Sequence, residues 1–546
     1  MIQTKKVLII IPARGGSKGI PRKNLRSLAG KPLLYYSVKM AFRSCYKPDV
    51  YVSSDDEEIL TIAKKLGSKV IHRDASKAQD QTTLDPVIYD AYKQAEAKEK
   101  KSYDVIITLQ PTSPLLKTSS LDSAIEKLIQ NSDIDTVISA KIDTHLTWKQ
   151  RDGRFVPNYE KRVNRQFLEP IYKETGGFLI TRKTKITETN RIGKNVELHL
   201  LSEGEAIDID TYEDWNICEF SLKRKKILFV VSGYKEIGLG HAYNTLLIAN
   251  DILNHRIEFL VDNKSQLAFE KIASKNYQVH IQKHNDIIED IKLLSPNVVI
   301  NDILDTDAHY IKSIKKLNIK VINFEDLGTG ALEADLVVNA IYPEKALLPK
   351  HYFGHEYFIL RDEFILTYPK PVVEKVNHVL LAFGGVDPNN FTKKVIESIQ
   401  TCCQQYQVKI SVVAGFGYDQ YESLEQYVDI DIYTNSAVIA EHMKQADIVF
   451  TSAGRTTYEV ASLCIPTIVL AQNEREMTHF FASAEYGFIN LGLGRNVACN
   501  QIQEAFVSLV ENFQTRRYMS QLMAKTDLVR GRARTLKLIN EVVDLT

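Results

Sequence analysis

The loop Ile11-Pro12-Ala13-Arg14-Gly15-Gly16-Ser17-Lys18-Gly19-Ile20-Pro21-Arg22-Lys23-Asn24 follows an apolar run and holds three glycines and four cations. Small residues let the backbone approach a phosphate chain, and the N–H groups around Gly15, Gly16 and Ser17 form an anion-binding nest. Arg14, Lys18 and Lys23 neutralise a triphosphate of about four negative charges. The loop is not of the Walker type, because GKS or GKT is missing. Farther on, Ile207-Asp208-Ile209-Asp210 alternates across an extended segment, so both carboxylates face one way. Such a pair holds Mg²⁺ beside a nucleotide phosphate, though paired acids at a strand end also serve as surface or helix-capping groups. Between them Leu109-Gln110-Pro111-Thr112-Ser113-Pro114 ends a strand in a rigid loop, where Gln110 reads a base or a sugar hydroxyl.

A second set lies beyond residue 226. Gly238-Leu239-Gly240-His241 enters a helix-like segment; histidine is the natural general base for activating water near neutral pH, though a lone loop histidine more often serves a structural or merely polar role. Phe383-Gly384-Gly385-Val386 and Ser452-Ala453-Gly454-Arg455-Thr456-Thr457-Tyr458-Glu459 each follow a strand, as diphosphate loops do, with Glu459 one turn in to accept ribose hydroxyls, though either glycine segment taken singly also serves as a simple turn.

These loops need strands behind them. Val7 to Ile11, Val50 to Ser53, Val105 to Leu109 and Thr136 to Ala140 alternate with amphipathic stretches, which predicts a parallel sheet covered by helices. At about 150 residues per domain, 546 residues give three or four units. The first boundary falls at about 223, where a basic run, Lys223-Arg224-Lys225-Lys226, precedes a fresh strand, ILFVV. The second falls where TYPKPVVEK at 367–375 interrupts the alternation. The expected division is 1–222, 223–372 and 373–546, the last two enclosing a cleft faced by strand-end loops.

Composition excludes several classes. Lys+Arg 69 against Asp+Glu 68 leaves +1, so no chain-wide field attracts nucleic acid or an anionic membrane. Six scattered cysteines without CxxC suggest neither disulfides nor zinc. The opening apolar run is too short for a signal peptide, and no run reaches bilayer-spanning length, so the expectation is a cytoplasmic protein.

IPARGGSKGIPRKN, LQPTSPL, YKETGGFLIT and EAIDIDTYED, in this order over about residues 5–220, resemble the cytidylyltransferases that make CMP-activated sialic acids. The resemblance implies a Rossmann-like, GT-A-like nucleotidyltransferase domain. In it the anomeric hydroxyl of a nine-carbon 2-keto sugar acid attacks the α-phosphate of CTP and expels pyrophosphate. It further implies Arg14, Lys23 and Asn24 on CTP, with the nest of Gly15, Gly16, Ser17 and Lys18, Gln110 on the sugar, and Asp208 and Asp210 on Mg²⁺. Residues 143–175 are similar to the family's arm, which implies a homodimer. The eight-carbon sugar (Kdo) cytidylyltransferases compete, but Pro21-Arg22-Lys23-Asn24 follows the sialate pattern.

The segments around His241, Gly384 and Ser452, with Asn323-Phe324-Glu325-Asp326-Leu327, Tyr357 to Phe364 and Leu470-Ala471-Gln472-Asn473, resemble the UDP-sugar hydrolase of pseudaminic acid biosynthesis over about 226–546. That implies a GT-B-like pair of Rossmann-type domains and hydrolysis of a UDP-2,4-diacetamido-trideoxyhexose without a cofactor. His241 would be the base, with Gly384, Gly385, Ser452, Gly454, Thr456, Thr457 and Glu459 around UDP. Where that family continues GxGHxxR, this chain has Asn244, and Arg455 or Arg361 is the candidate to compensate. The combined expectation is a bifunctional enzyme of nonulosonic, best pseudaminic, acid activation. The alternative is a sialic or legionaminic acid cytidylyltransferase fused to a glycosyltransferase or a non-catalytic nucleotide-binding module.

Overall fold

The computed structural model describes residues 5–17, 19–79, 81–343, 348–424, 426–427, 429–434, 436 and 438–546. The chain is α/β throughout and divides after Arg224 into two compact units. The basic run is largely absorbed by secondary structure. Lys223 ends a helix, Tyr212–Lys223, and Lys226 starts a strand, so only Arg224 and Lys225 lie between.

The first unit is built on β1 (Val7–Pro12), β2 (Asp49–Ser54), β3 (Lys69–His72), β4 (Val105–Leu109), β5 (Thr136–Ile142), β6 (Tyr172–Arg182) and β7 (Val196–Leu200). They lie in the order β7-β5-β6-β4-β1-β2-β3, with β6 antiparallel to both neighbours and the other pairings parallel. The unbroken apolar run of β1 follows from burial on both faces. Val7, Ile9 and Ile11 pack with Leu34, Val38, Leu121 and Ile125 on one side. Leu8 and Ile10 meet Ile88, Ala91 and Tyr92 on the other. Parallel pairing of β1 with β4 brings the loops after Pro12 and Leu109 out at the same edge. The helix Tyr212–Lys223 starts on a capping box between Thr211 and Asp214. Its Trp215 and Cys218 share a small core with Ile20, Leu28 and Ile209, which clamps the IDID segment against the first loop.

The second unit holds two fully parallel sheets. One comprises β8 (Lys226–Val231), β9 (Arg256–Val261), β10 (Val279–Ile281), β11 (Val298–Asp302), β12 (Lys320–Phe324), β13 (Leu336–Asn339) and β14 (His351–Phe353), ordered β10-β9-β8-β11-β12-β13-β14. The other comprises β15 (His378–Ala382), β16 (Lys409–Ala414), β17 (Asp431–Thr434), β18 (Ile448–Thr451), β19 (Thr467–Ala471) and β20 (Phe488–Leu493), ordered β17-β16-β15-β18-β19-β20. Strand order reverses between β8 and β11 and between β15 and β18, the switch points where loops open a crevice. The helix Gly531–Asp544 returns to the first of these sheets, burying Ile539, Val542 and Val543 in its core. All six cysteines are free. Among the described residues, no helix is long and apolar enough to cross a membrane.

Candidate active sites

In the first unit the four sequence segments converge. Ile209 N–H donates to the Thr112 carbonyl (2.9 Å), and Gln110 N–H to that of Gly177 (3.4 Å). The Lys23 ammonium donates to the Ile209 carbonyl at 2.5 Å and pairs with Asp210 at 3.4 Å. A Cβ on Gly19 would stand 2.5 Å from the Asp210 carbonyl, and one on Gly176 2.7 Å from the Asp208 carboxylate, so both glycines are required by close approach. The two aspartates differ in surroundings. Asp210 is exposed and held by Lys23. Asp208 is half-buried, and its Oδ1 is a buried oxygen without a hydrogen-bond donor. Burial raises the Asp208 carboxyl above the usual carboxylate range, with the neighbouring Thr112 hydroxyl acting against it and the charge of Asp210 reinforcing it; Thr112 and Asp208 are close but do not meet in hydrogen-bond geometry.

The loop itself is partly self-satisfied. Gly15 N–H donates to Asp55 Oδ1 (3.1 Å), which removes it from an anion nest. Asn24 is buried, and its amide donates to the Arg14 carbonyl (3.0 Å), so it shapes the loop from behind. Gly16 is exposed, with open space where a Cβ would stand, and Ser17 is half-buried. Lys18 lies outside the described residues. Sequence reading passed over Arg73, at the end of β3. It is buried, bonds the Ser53 carbonyl (2.7 Å), and feels both Asp55 and Arg14.

Among the described residues no three His, Cys, Asp or Glu are grouped to hold a metal. The donor set still suits Mg²⁺, which takes one or two carboxylates and completes its shell with phosphate and water. The orphaned Asp208 oxygen is the observation that fits.

In the second unit His241, Gly384, Gly385, Ser452, Gly454, Thr456 and Glu459 line one cleft of about 270 Å³ between the two sheets. Thr457 does not reach it. Its side chain is buried and donates to the Gly454 carbonyl (2.8 Å), closing the loop on itself. Glu459 pairs with Arg361 at 2.7 Å, and Arg361 also pairs with Glu363. His241 Nδ1 lies 2.5 Å from Asp302 Oδ1. A carboxylate only accepts, so Nδ1 carries the hydrogen of this bond, and Nε2 is the nitrogen left over for base chemistry. Asn244 donates to Asp302 Oδ2 (2.8 Å) and accepts from Arg455 Nη2 (2.9 Å). Of the two compensating cations considered, Arg455 reaches Asn244, while Arg361 is bound to acids.

Three further cleft residues carry perturbed protons that the sequence did not reveal. Burial pushes Glu325 up to about 8, against the nearby Arg455 charge. Glu476 accepts from Gln472 and Ala453 N–H (2.8 and 3.1 Å), and burial still raises it to about 7. His479 falls to about 4 because it is buried. Its Nδ1 bonds the Ala453 carbonyl (2.7 Å), and its Nε2 is buried without a partner. The available signal was a Glu and a His three residues apart after the Gln472-Asn473 pair; nothing marked them as inward-facing.

A cation-lined loop at the end of the first strand, facing acids from the irregular segment before the helix Tyr212–Lys223, defines the first unit as a nucleotide-handling α/β domain of the nucleotidyltransferase kind. A profile of cytidylyltransferases matches residues 8–156. The pseudaminic acid cytidylyltransferase of Campylobacter jejuni (serotype O:2) is 33% identical over 235 residues, covering 42% of this chain and 97% of that protein. Through this part the chain belongs to the cytidylyltransferase family. An uncharacterised protein of Methanocaldococcus jannaschii is 31% identical over 311 residues, 50% of this chain, which spans 64% of that protein's length. The crystal structure of Acinetobacter baumannii MurG aligns with 58% of this chain and 99% of its own at 14% identity and a TM-score of 0.42.

Proposed function

We propose that the chain is a bifunctional enzyme of nonulosonic, specifically pseudaminic, acid activation. Its first unit transfers CMP from CTP to a nine-carbon 2-keto sugar acid. The observation that carries this reading is the meeting of the Arg14–Lys23 loop with the unsatisfied Asp208 oxygen, in a family whose Campylobacter jejuni relative is named for pseudaminic acid. Arg14 and the open backbone around Gly16 take up phosphate charge, and Lys23 locks the loop onto the Asp210 segment. Gln110 orients the sugar, whose anomeric oxygen forms the new bond to the α-phosphate as pyrophosphate leaves. Mg²⁺ bound at Asp208 and Asp210 would supply charge neutralisation at the phosphates. The exposed Trp148, Phe155, Phe167 and Tyr172 of the 143–175 arm support pairing with a second copy, which sedimentation of the full chain tests.

The second unit, in this reading, hydrolyses a UDP-2,4-diacetamido-trideoxyhexose. The His241–Asp302 pair, whose histidine lines a cleft with two glycine loops, supports it. His241 Nε2 takes a proton from water as water's oxygen bonds to the anomeric carbon and the carbon–oxygen bond to UDP breaks, giving an inverted sugar. The test incubates the chain with CTP and a panel of nonulosonic acids, and separately with the UDP-sugar and no acceptor, reading products by mass spectrometry. CMP transfer to none of the acids sinks the first assignment. An intact UDP-sugar sinks the second.

A further inference from the structure

Asp302, at the end of β11, is a fully buried carboxylate with a dedicated donor on each oxygen, His241 on one and Asn244 on the other. His241 and Asn244 stand three residues apart on the helix Gly240–Asp251, so they share a face. Asn244 is itself buried, and both ends of its amide are used. Its orientation is dictated by chemistry. A carboxylate only accepts and a guanidinium only donates, so a flipped amide would set acceptor against acceptor and donor against donor. Asparagine is therefore a directional link between a buried anion on the first sheet and a cation on the second.

That cation is firmly placed. The Arg455 guanidinium lies 4.4 Å from the Phe358 ring centroid. Phe358 is the end of a nearly parallel column with Tyr458 and Phe481, at spacings of 4.0 and 4.2 Å. Nη2 also bonds the Ile359 carbonyl at 3.3 Å. A Cβ on Gly240 would sit 3.4 Å from the arginine stem, so the helix entrance leaves room for it to cross. Arg455 further belongs to the loop that carries Ser452, Gly454 and Thr456 into the cleft.

We propose that Arg455 is a positioning residue for His241, acting through Asn244 and Asp302, so that the loop of the second sheet holds the base of the first in its working tautomer. This rests on the reading of His241 as the hydrolytic base. Asn244 fixes one carboxylate oxygen of Asp302 and leaves the other to hold the imidazole Nδ1–H, which turns Nε2 toward the cleft. The neighbouring Glu325 feels both Arg455 and Asp302, and Arg455 also acts on His479 and Tyr458.

The test compares the full-length chain with Arg455→Ala, Asn244→Ala, the double variant and Arg455→Lys. With the UDP-diacetamido sugar, each single change should lower kcat about 10- to 100-fold with KM and UDP affinity within about twofold. The double variant should be no worse than the poorer single, because both act along one chain of contacts. Arg455→Lys should recover part of the rate, since an ammonium can donate to the same amide oxygen. Loss confined to KM or UDP affinity would overturn the proposal in favour of direct ligand contact, and additive losses would overturn the shared path. Nitrogen NMR of histidine-labelled protein, with His241→Ala assigning the signal, reads the relay without turnover. The native ring should be the Nδ1–H tautomer, and Arg455→Ala should disturb it. An undisturbed His241 signal would overturn the relay, whereas a disturbed signal in a chain that never cleaves the UDP-sugar would uphold it and count against the hydrolase reading alone.

Discussion

A buried carboxylate short of donors is kept against stability, and Asp208 Oδ1 is buried with no donor in hydrogen-bond geometry, the nearby Thr112 hydroxyl offsetting only part of the burial. The raised proton affinity of Asp208 says the same: its ionised form is disfavoured in the fold, and stability is lost as pH rises above the ordinary carboxylate range. Asp208→Asn should therefore melt no lower than the native chain at neutral pH, yet lower pyrophosphate release by about 100-fold or more; near-native release would remove Asp208 from the mechanism. Glu476 and His479 oppose each other in the same currency. Glu476 is raised from 4.5 to about 7, so it withdraws stability as pH climbs through that window. His479 is lowered from 6.5 to about 4, so its burial withdraws stability as pH falls through that range. Glu476→Gln removes the first effect alone. The difference in melting temperature between variant and native chain should grow from pH 4.5 to pH 7, and a constant difference would show that Glu476 ionises as freely folded as unfolded.

Parallel strands deliver their loops to one edge, and at that edge the close approaches of backbone set which residues are allowed. Gly415, just after β16, is the sharpest case, for a Cβ there would stand 2.5 Å from the Gly384 carbonyl oxygen and from the Gly385 Cα. Gly415→Ala must push the Gly384–Gly385 loop aside, which predicts destabilisation of about 1–3 kcal/mol together with weaker UDP binding by calorimetry. Gly385→Ala is the control for stability alone, since its added carbon would meet only Leu239 at 3.6 Å while still lining the cleft. Retained UDP affinity in Gly415→Ala would show that this loop does not carry the nucleotide. The strands themselves were legible, because β1 and β4 are apolar runs flanked by turn residues. Gly415 was not, since its need arises from a loop thirty residues earlier.

Each of the two units has its own sheets and its own buried clusters, so the chain should tolerate separation between Arg224 and Lys225. Expressed singly, both pieces should be soluble, with CTP-dependent chemistry in one and UDP binding in the other. Pieces that are inactive alone and recover on mixing would refute independence. The sequence by itself determined the α/β class and the motif loops that converge at the first site, because periodicity and glycine- and cation-rich turns are local properties. It also placed His241 at a helix entrance. Only the tertiary structure decided that Gly15 and Asn24 spend their hydrogen bonds within the loop, that Thr457 turns inward, and that Asp208 and Asp210 live in different surroundings. It alone joined Arg455 to His241 through Asn244, on the histidine's own helix, and Asp302, at a strand end. Those outcomes depend on which groups bury each other, and burial is settled by contacts between segments as far apart as Asn244 and Arg455, whose partners no local pattern names.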